Sequence, residues 1–486
     1  MPFKPYEQDA GMLFPPHLGD LVAEDHLARV ISEVVDQLDI SAITGTYSDL
    51  GQNAYHPRMM LKILYYGYAI GIRPSRALAG AIGETVPFMW LAGGWEPDFR
   101  TISDFRKDHI RRIEDLFVQI VRICCRMGIV KTGHWSIDGT KVKANASKGN
   151  WVRREVVEEE LKRVRKEIAE ALAEAEKIDA IEDELLGAEN EGKALPKEIR
   201  KKTERAKRLA KAIEKLNEKP ERTRVNRTDV DAPLMKRKGG GFEPSYNPQA
   251  TVDADSQVIV AGDVTDNPTD NAELIPQLDQ AITNVEAKPD GVLADAGYTG
   301  VPNLEHIEER EVEGFIPQHE NARKRAKVSG DEEAASAKRF ERGDFEYDSE
   351  SDCYRCPAGE TLELSHRKKK KQACGINVVK VYKRVGCGKC PYASRCLKTG
   401  AKGRSVERPE REDLVAAMNE RLGSDRGKTA YAKRKQSVEP VFGVLKAVMR
   451  FREFLLRGLE KARGEWRLAC GAFNMRKIWA LVTSAG

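Results

Sequence analysis

Residues 134–144 read HWSIDGTKVKA, and the fold class turns on them. Before this point apolar residues recur at helical spacing; here Trp135, Ile137 and Val142 crowd into a short run rich in aromatic and β-branched residues. That composition predicts a strand. Asp138 lies inside the run, with Gly139 behind it. A carboxylate in an apolar strand is costly unless hydrogen bonds or a cation compensate it. Asp138 therefore reads either as a hydrogen-bonded structural residue or as a metal ligand.

Downstream, YNPQATVDADSQVIVAGDVTDN (246–267) holds two β-rich runs around a DADS turn, the pattern of a hairpin. A helical stretch, ELIPQLDQAITNVEA (273–287), leads to GVLADAGYTG (291–300), a short buried strand ending at Asp295. The small residues Ala294, Ala296 and Gly297 around that carboxylate let a metal or phosphate come close. GFIPQH (314–319) supplies another apolar run. Strands alternating with a helix after an opening hairpin give an α+β or α/β sheet domain. Into it is inserted the segment 151–220, where 36 of 70 residues are charged. Its Ala/Glu/Lys/Arg/Leu background, broken near LPKE (195–198), predicts a long antiparallel helical hairpin, a spacer or dimerisation arm with no chemical task.

Upstream, residues 18–130 read as helices joined by short polar turns. In HPRMMLKILYYGYAIGI (56–72), Pro57 suits a first turn and Met60, Leu61, Leu64, Tyr68 and Ile72 share a face. Thr101 and Asp104 in TISDF resemble a capping box opening the next helix. This all-helical unit is equally a DNA-binding domain, a dimerisation element or a plain bundle.

Toward the C-terminus, TAYAKRKQSVEPVFGVLKAVMRFREFLLRG (429–458) places Lys446 about 20° and Lys435 about 40° from Glu439 around a helix. Such a face suits metal ligation beside a phosphate backbone, or is an exposed ladder worth a few tenths of a kcal/mol per pair. Pro440 disfavours α conformation at Glu439, so a helix start or kink is expected there. Between these regions Cys353-x2-Cys356 and Cys387-x2-Cys390-x5-Cys396 form paired elements with RKKKK and the strand-like VVKVYK between them. Five cysteines compete for the four places of a tetrahedral zinc ribbon; an iron–sulfur cluster is the alternative. Cys124, Cys125 and Cys470 sit in apolar helical contexts and are assigned to the core.

Length and charge bound the rest. A chain of 486 residues suggests about three domains. Its formal net charge of +5 conceals a partition: residues 361–486 hold 30 Lys and Arg against 11 Asp and Glu, a net of +19, and the remainder 51 against 65, a net of −14. A basic block of that size is the electrostatic footprint of a surface that meets phosphates. No run of 18 apolar residues occurs, which excludes a helical membrane span. MPFKPYEQDAGMLFPP (1–16) lacks the regions of a signal peptide, so a cytoplasmic, nucleoid-associated protein with reduced cysteines is expected.

In order, SIDGTKVKA (136–144), YNPQATVD (246–253), LADAGY (293–298) and the stretch from Tyr431 through VEPVFG (438–443) and Lys446 to FREFLLRG (451–458) resemble the motifs of bacterial insertion-sequence transposases of the DDE class. The resemblance covers nearly the whole chain. It implies an RNase H-like core whose catalytic Asp138, Asp295 and Glu439 hold two Mg²⁺ (or Mn²⁺) ions, and a Tyr-Arg-Glu-Lys signature at Tyr431, Arg434, Glu439 and Lys446. The family leaves three residues between Arg and Glu where this chain has four, so the basic role stands open between Arg434 and Lys435. The family's cysteine-rich insert best fits Cys356, Cys387, Cys390 and Cys396 as Zn²⁺ ligands, with Cys353 as a substitute. Lys141, Lys143, Arg450, Arg452 and Arg457 are further candidate DNA contacts.

The implied activity is cleavage of insertion-sequence ends and joining of 3′-hydroxyl ends to target DNA. The implied partners are double-stranded terminal repeats and target DNA, and a second copy of the chain in a dimer. The expected organisation is a helical N-terminal domain (1–130), a first core segment (131–342) interrupted by the hairpin (148–222), a Cys-rich zinc-ribbon-like insertion (343–398) and a last core segment (399–486) carrying the Glu439 helix. Two alternatives remain: a non-catalytic zinc-ribbon DNA-binding protein descended from a transposase, and an RNase H-like nuclease without strand transfer.

Overall fold

The computed structural model describes residues 17–48, 53–186, 197–219, 222–237, 240–317 and 339–484. Residues 1–16, half of LPKE and the end of GFIPQH lie outside them. The N-terminal region is helical: α1 (Leu27–Asp36), α2 (Ser41–Thr44), α3 (Pro57–Ile70), α4 (Ser75–Glu84), α5 (Val86–Leu91) and α6 (Phe99–Arg126). Pro57 opens α3 behind an N-cap at His56. The helix stops at Gly71, whose φ of +85° suits glycine, and a Cβ there would come 2.7 Å from the Val448 carbonyl. The cap of α6 differs from expectation. Asp98, not Thr101, is the N-cap, accepting from the backbone N–H of Arg100 and Thr101, while the Thr101 hydroxyl donates to it. A carboxylate that takes two backbone donors and a hydroxyl outcompetes a threonine that could take one.

The main sheet begins with β1 (His134–Gly139) and β2 (Val142–Lys143), and β3 (Trp151–Arg153) follows outside it. The charged segment follows as α7 (Arg154–Leu186) and α8 (Lys197–Glu218), rooted on a ribbon of β3 with β4 (Arg224–Asn226) and closed by its own small core of Val157, Leu161, Val164, Leu209 and Leu216. Then come β5 (Leu234–Lys236), β6 (Phe242–Asp253), β7 (Ile259–Thr265), α9 (Leu274–Val285), β8 (Gly291–Leu293), α10 (Val301–Glu309) and β9 (Glu313–Phe315). The main sheet runs β2-β6-β1-β8-β9, with β5 and β7 also paired to β6. β6 is antiparallel to β1 and β7, whereas β8 and β9 run parallel to β1 and β8 respectively. The fold is α+β.

The Cys-rich region forms a separate antiparallel sheet of β10 (Glu346–Asp348), β11 (Cys353–Arg355), β12 (Thr361–Gln372), β13 (Gly375–Val385) and β14 (Gly403–Pro409), with the short α11 (Ala393–Cys396). The expected boundary at residue 398 cuts this unit: β14 pairs along β13, and its Val406 fills the same core as Tyr354, Leu362 and Tyr382. The chain returns through α12 (Glu412–Gly423), α13 (Asp425–Ala447) and α14 (Leu459–Ser484).

Two further expectations are corrected. Pro440 does not start a helix; it lies inside α13, beside buried Val438, Val441 and Phe442. The N-terminal helices do not close a core of their own at residue 130. α14 packs on α3, α6 and β7, and one hydrophobic cluster runs from Leu27 to Ile478. Gly464 and Gly471 permit this approach, since a Cβ on Gly464 would stand 2.6 Å from the Ile110 carbonyl and one on Gly471 3.0 Å from Ile120.

Candidate active site and cysteine-lined pocket

Asp138 closes β1 and Asp295 follows β8, the parallel neighbour of β1. Ser136 registers with Leu293, so two residues on, the carboxylates leave the same end of adjacent strands. The carboxyl ends of parallel strands are where open sheets receive ligands. Each carboxylate is fixed locally: Asp138 Oδ1 accepts from the Gly139 N–H at 2.9 Å, and Asp295 Oδ1 from the Gly297 N–H at 2.7 Å. Glu439 arrives on α13, which is pinned to β1 by a buried contact of 2.6 Å between the Ser136 and Ser437 hydroxyls.

Arg434 joins the three. One guanidinium nitrogen stands 2.9 Å from Asp138 and 3.7 Å from Asp295, and the other 3.8 Å from Glu439. Arg434 is buried, and its Nε has no hydrogen-bond partner among the described residues. Burial works against its charge, but the three carboxylates outweigh it and hold the guanidinium protonated. Burial also pushes the Asp138 carboxyl up to about 6, against the pull of Arg434 and with the neighbouring Asp295 and Asp270 adding to the rise. Lys435 is exposed and does not line the site. The extra residue before Glu439 thus leaves Arg434 pointing inward.

The carboxylates share a cavity of about 990 Å³ with Lys141, Lys236, Arg237 and Lys446. Lys446 donates to the Thr140 hydroxyl, and Lys141 to the Lys236 carbonyl at 3.2 Å. The pocket is therefore two-sided, with carboxylates and cations around one space. Asp270, Asn247, Lys236 and Arg237 escaped the sequence reading. Asn247 lay in the quoted YNPQATVD; Asp270, in the turn-rich TDNPTDN, carried no signal.

A second cavity, of about 570 Å³, is lined by Cys356, Cys387, Cys390 and Cys396 together with Tyr392 and Arg404. The Gly359 N–H turns back to the Cys356 carbonyl at 2.7 Å, just after the end of β11, and the Cys390 N–H to that of Cys387 at 3.2 Å, so Cys356 opens one tight turn and Cys387-x2-Cys390 is another. Burial pushes the Cys396 thiol up; Arg404 opposes this, and the thiols of Cys387, Cys356 and Cys390 add to it. Cys353 is buried on β11 and does not line the cavity. Cys124 and Cys470 lie in the main core, with Cys125 against it. As placed, no three His, Cys, Asp or Glu side chains among the described residues are grouped as a metal site.

Two family models match the chain: a transposase DDE domain over residues 355–479 and a transposase domain over residues 16–108. The chain is an insertion-sequence transposase of the DDE class. A search of characterised proteins returns no match. The DDE match takes in Glu439, Arg434, Lys446 and the four pocket cysteines; Asp138 and Asp295 precede it. No described helix of the transposase is long and apolar enough to cross a membrane.

The other expected DNA contacts of the transposase stand apart from the carboxylate pocket. Lys143 pairs with Glu453 at 3.1 Å, Arg452 donates to the Lys446 carbonyl at 3.2 Å, and Arg457 to that of Asn145 at 3.1 Å. Arg450 gives its carbonyl to Arg73 at 3.0 Å. Together they form the loop 450–457 bridged to β2, beside the pocket rather than in it. Tyr431 is half-buried against the main core on α13.

Proposed function

We propose that this transposase cuts the ends of its element and joins their 3′-hydroxyls to target DNA within an RNase H-like core, with Asp138, Asp295 and Glu439 holding two divalent cations, Mg²⁺ or Mn²⁺. The observation that carries the reading is the convergence of these carboxylates on one cavity that also presents Lys141, Lys236, Arg237 and Lys446. The donor set fits: carboxylates without histidine suit hard cations, and the three share Arg434 as a common positive partner. When bound, the cations supply Lewis-acid stabilisation of the phosphoryl charge and of the attacking and leaving oxygens. The chain's own part is to seat DNA. The basic wall takes backbone phosphates, contacts that position without reading sequence, while Arg434 keeps the carboxylates from repelling one another before metal arrives.

The test is full-length protein with Mg²⁺ and DNA carrying the terminal repeats that flank its own gene. Expected products are nicked 3′ ends and their joints to a second duplex. Cleavage without joining would favour a nuclease, and binding without cleavage a non-catalytic DNA-binding protein.

For the second pocket we propose one structural Zn²⁺ on Cys356, Cys387, Cys390 and Cys396, since four thiolates lining one cavity suit a tetrahedral ion. Cys390→Ser is expected to remove most of the zinc from the purified protein and to loosen the sheet β10–β14. Unchanged zinc by elemental analysis would take Cys390 out of the site.

A further inference from the structure

The pocket contains a fourth carboxylate. Asp270 lies between β7 and α9, and its Oδ1 accepts two side-chain amides, Asn247 Nδ2 at 2.7 Å and Gln249 Nε2 at 2.8 Å. Gln249 is itself oriented: its Oε1 accepts from the buried Tyr298 hydroxyl at 2.5 Å, which turns its NH₂ toward Asp270. The clamp sits directly on the end of the Asp138 strand. A Cβ at Gly139 would fall 2.3 Å from Gln249 Nε2 and 2.5 Å from Asp270 Oδ1, so this glycine is required for the approach. The other oxygen, Oδ2, receives no hydrogen bond and no ion pair among the described residues. It faces Gly297, where a Cβ would stand 3.6 Å from it and 2.8 Å from Asp295 Oδ1. Two glycines thus keep space open around a carboxylate whose second oxygen lies among like charges.

Here one oxygen is held by an amide pair, and Asp270 lines the cavity that Asp138 and Asp295 also line. Carboxylates crowded in one site demand positive charge between them, and preorganised oxygen donors are what hard divalent cations select. We propose that Asp270 is a fourth oxygen donor to the divalent cations of this pocket, a role that rests on the metal-binding reading of Asp138, Asp295 and Glu439.

The experiment is Mn²⁺ binding to the full-length protein, followed by electron paramagnetic resonance, for the wild type, Asp270→Asn and Asp138→Asn. Asparagine keeps an oxygen for both amide donors and puts an NH₂ where Oδ2 stood. At unchanged thermal stability, Asp270→Asn is expected to weaken Mn²⁺ binding by about tenfold or more. Wild-type affinity in Asp270→Asn together with lost affinity in Asp138→Asn overturns the proposal and leaves the three-carboxylate site standing. Wild-type protein that binds no Mn²⁺ overturns both. Should Asp270→Asn fail to fold, Fe²⁺-directed backbone cleavage of the wild type decides: cuts near residue 270 as well as near 138 and 295 support a fourth donor, and cuts confined to the latter two reject it.

Discussion

Asp138→Asn is expected to lower end cleavage and joining by about a hundredfold to a thousandfold, with the fold and metal-free DNA binding retained. Asparagine is isosteric, so β1, its register and the Gly139 contact survive. What goes is the charge. Asp138 is the most buried of the three carboxylates, and the one that Arg434 approaches within 2.9 Å. Preorganised charge aimed at a developing transition state, in a site that excludes water, contributes about 3–4 kcal/mol per group, and each 1.36 kcal/mol is tenfold in rate. Burying the Asp138 charge is itself unfavourable, which is why its carboxyl sits near 6. Replacing it with a neutral amide removes that cost along with the Arg434 attraction, and the two partly cancel in stability. A variant that cleaves and joins at the wild-type rate would exclude Asp138 from the chemistry, whatever the fate of the rest of the pocket.

The strands that carry Asp138 and Asp295 were legible because each is a short apolar run interrupted by a carboxylate, a pattern that needs only local reading. Their adjacency was not. That depends on β8 pairing parallel with β1, a contact across more than 150 positions of chain. The choice between Arg434 and Lys435 was illegible for a different reason. Helical phase gives the direction of a Cα–Cβ bond, whereas arginine is long enough to reach carboxylates well off its own radius. Asp270 was invisible because its value comes from Asn247 and Gln249, on β6. The paired Cys-x2-Cys elements, by contrast, were strong in sequence because thiol spacing is itself the geometric constraint. Four of the five cysteines share one cavity, and β11 carries the fifth away from it.

Glu465→Ala is expected to destabilise the protein by about 3–5 kcal/mol, the usual consequence of breaking a buried charge network. Glu465 is fully buried on α14. Its carboxylate accepts the Tyr68 hydroxyl at 3.0 Å and the backbone N–H groups of Leu455 and Leu456 at 2.9 and 3.0 Å, with Arg73 3.5 Å away. Arg73 in turn donates to the carbonyls of Glu453 and Arg450, each at 3.0 Å, and Arg106 to that of Arg73 at 2.9 Å. Truncation therefore leaves two arginines in the interior without their carboxylate and two backbone donors without an acceptor. The damage should reach function as well, because the loop these groups hold lies along β2: Phe454 donates to the Lys143 carbonyl at 2.9 Å, a few residues from Asp138. Glu465→Gln, which keeps an oxygen for the backbone donors but loses the charge, should fall between wild type and Ala in urea denaturation. If Ala and wild type unfold at the same urea concentration, the N-terminal helices do not depend on this carboxylate for their attachment. Their attachment would then rest on the other contacts of α3 and α6 with α14, the Arg467–Glu114 pair at 2.5 Å among them.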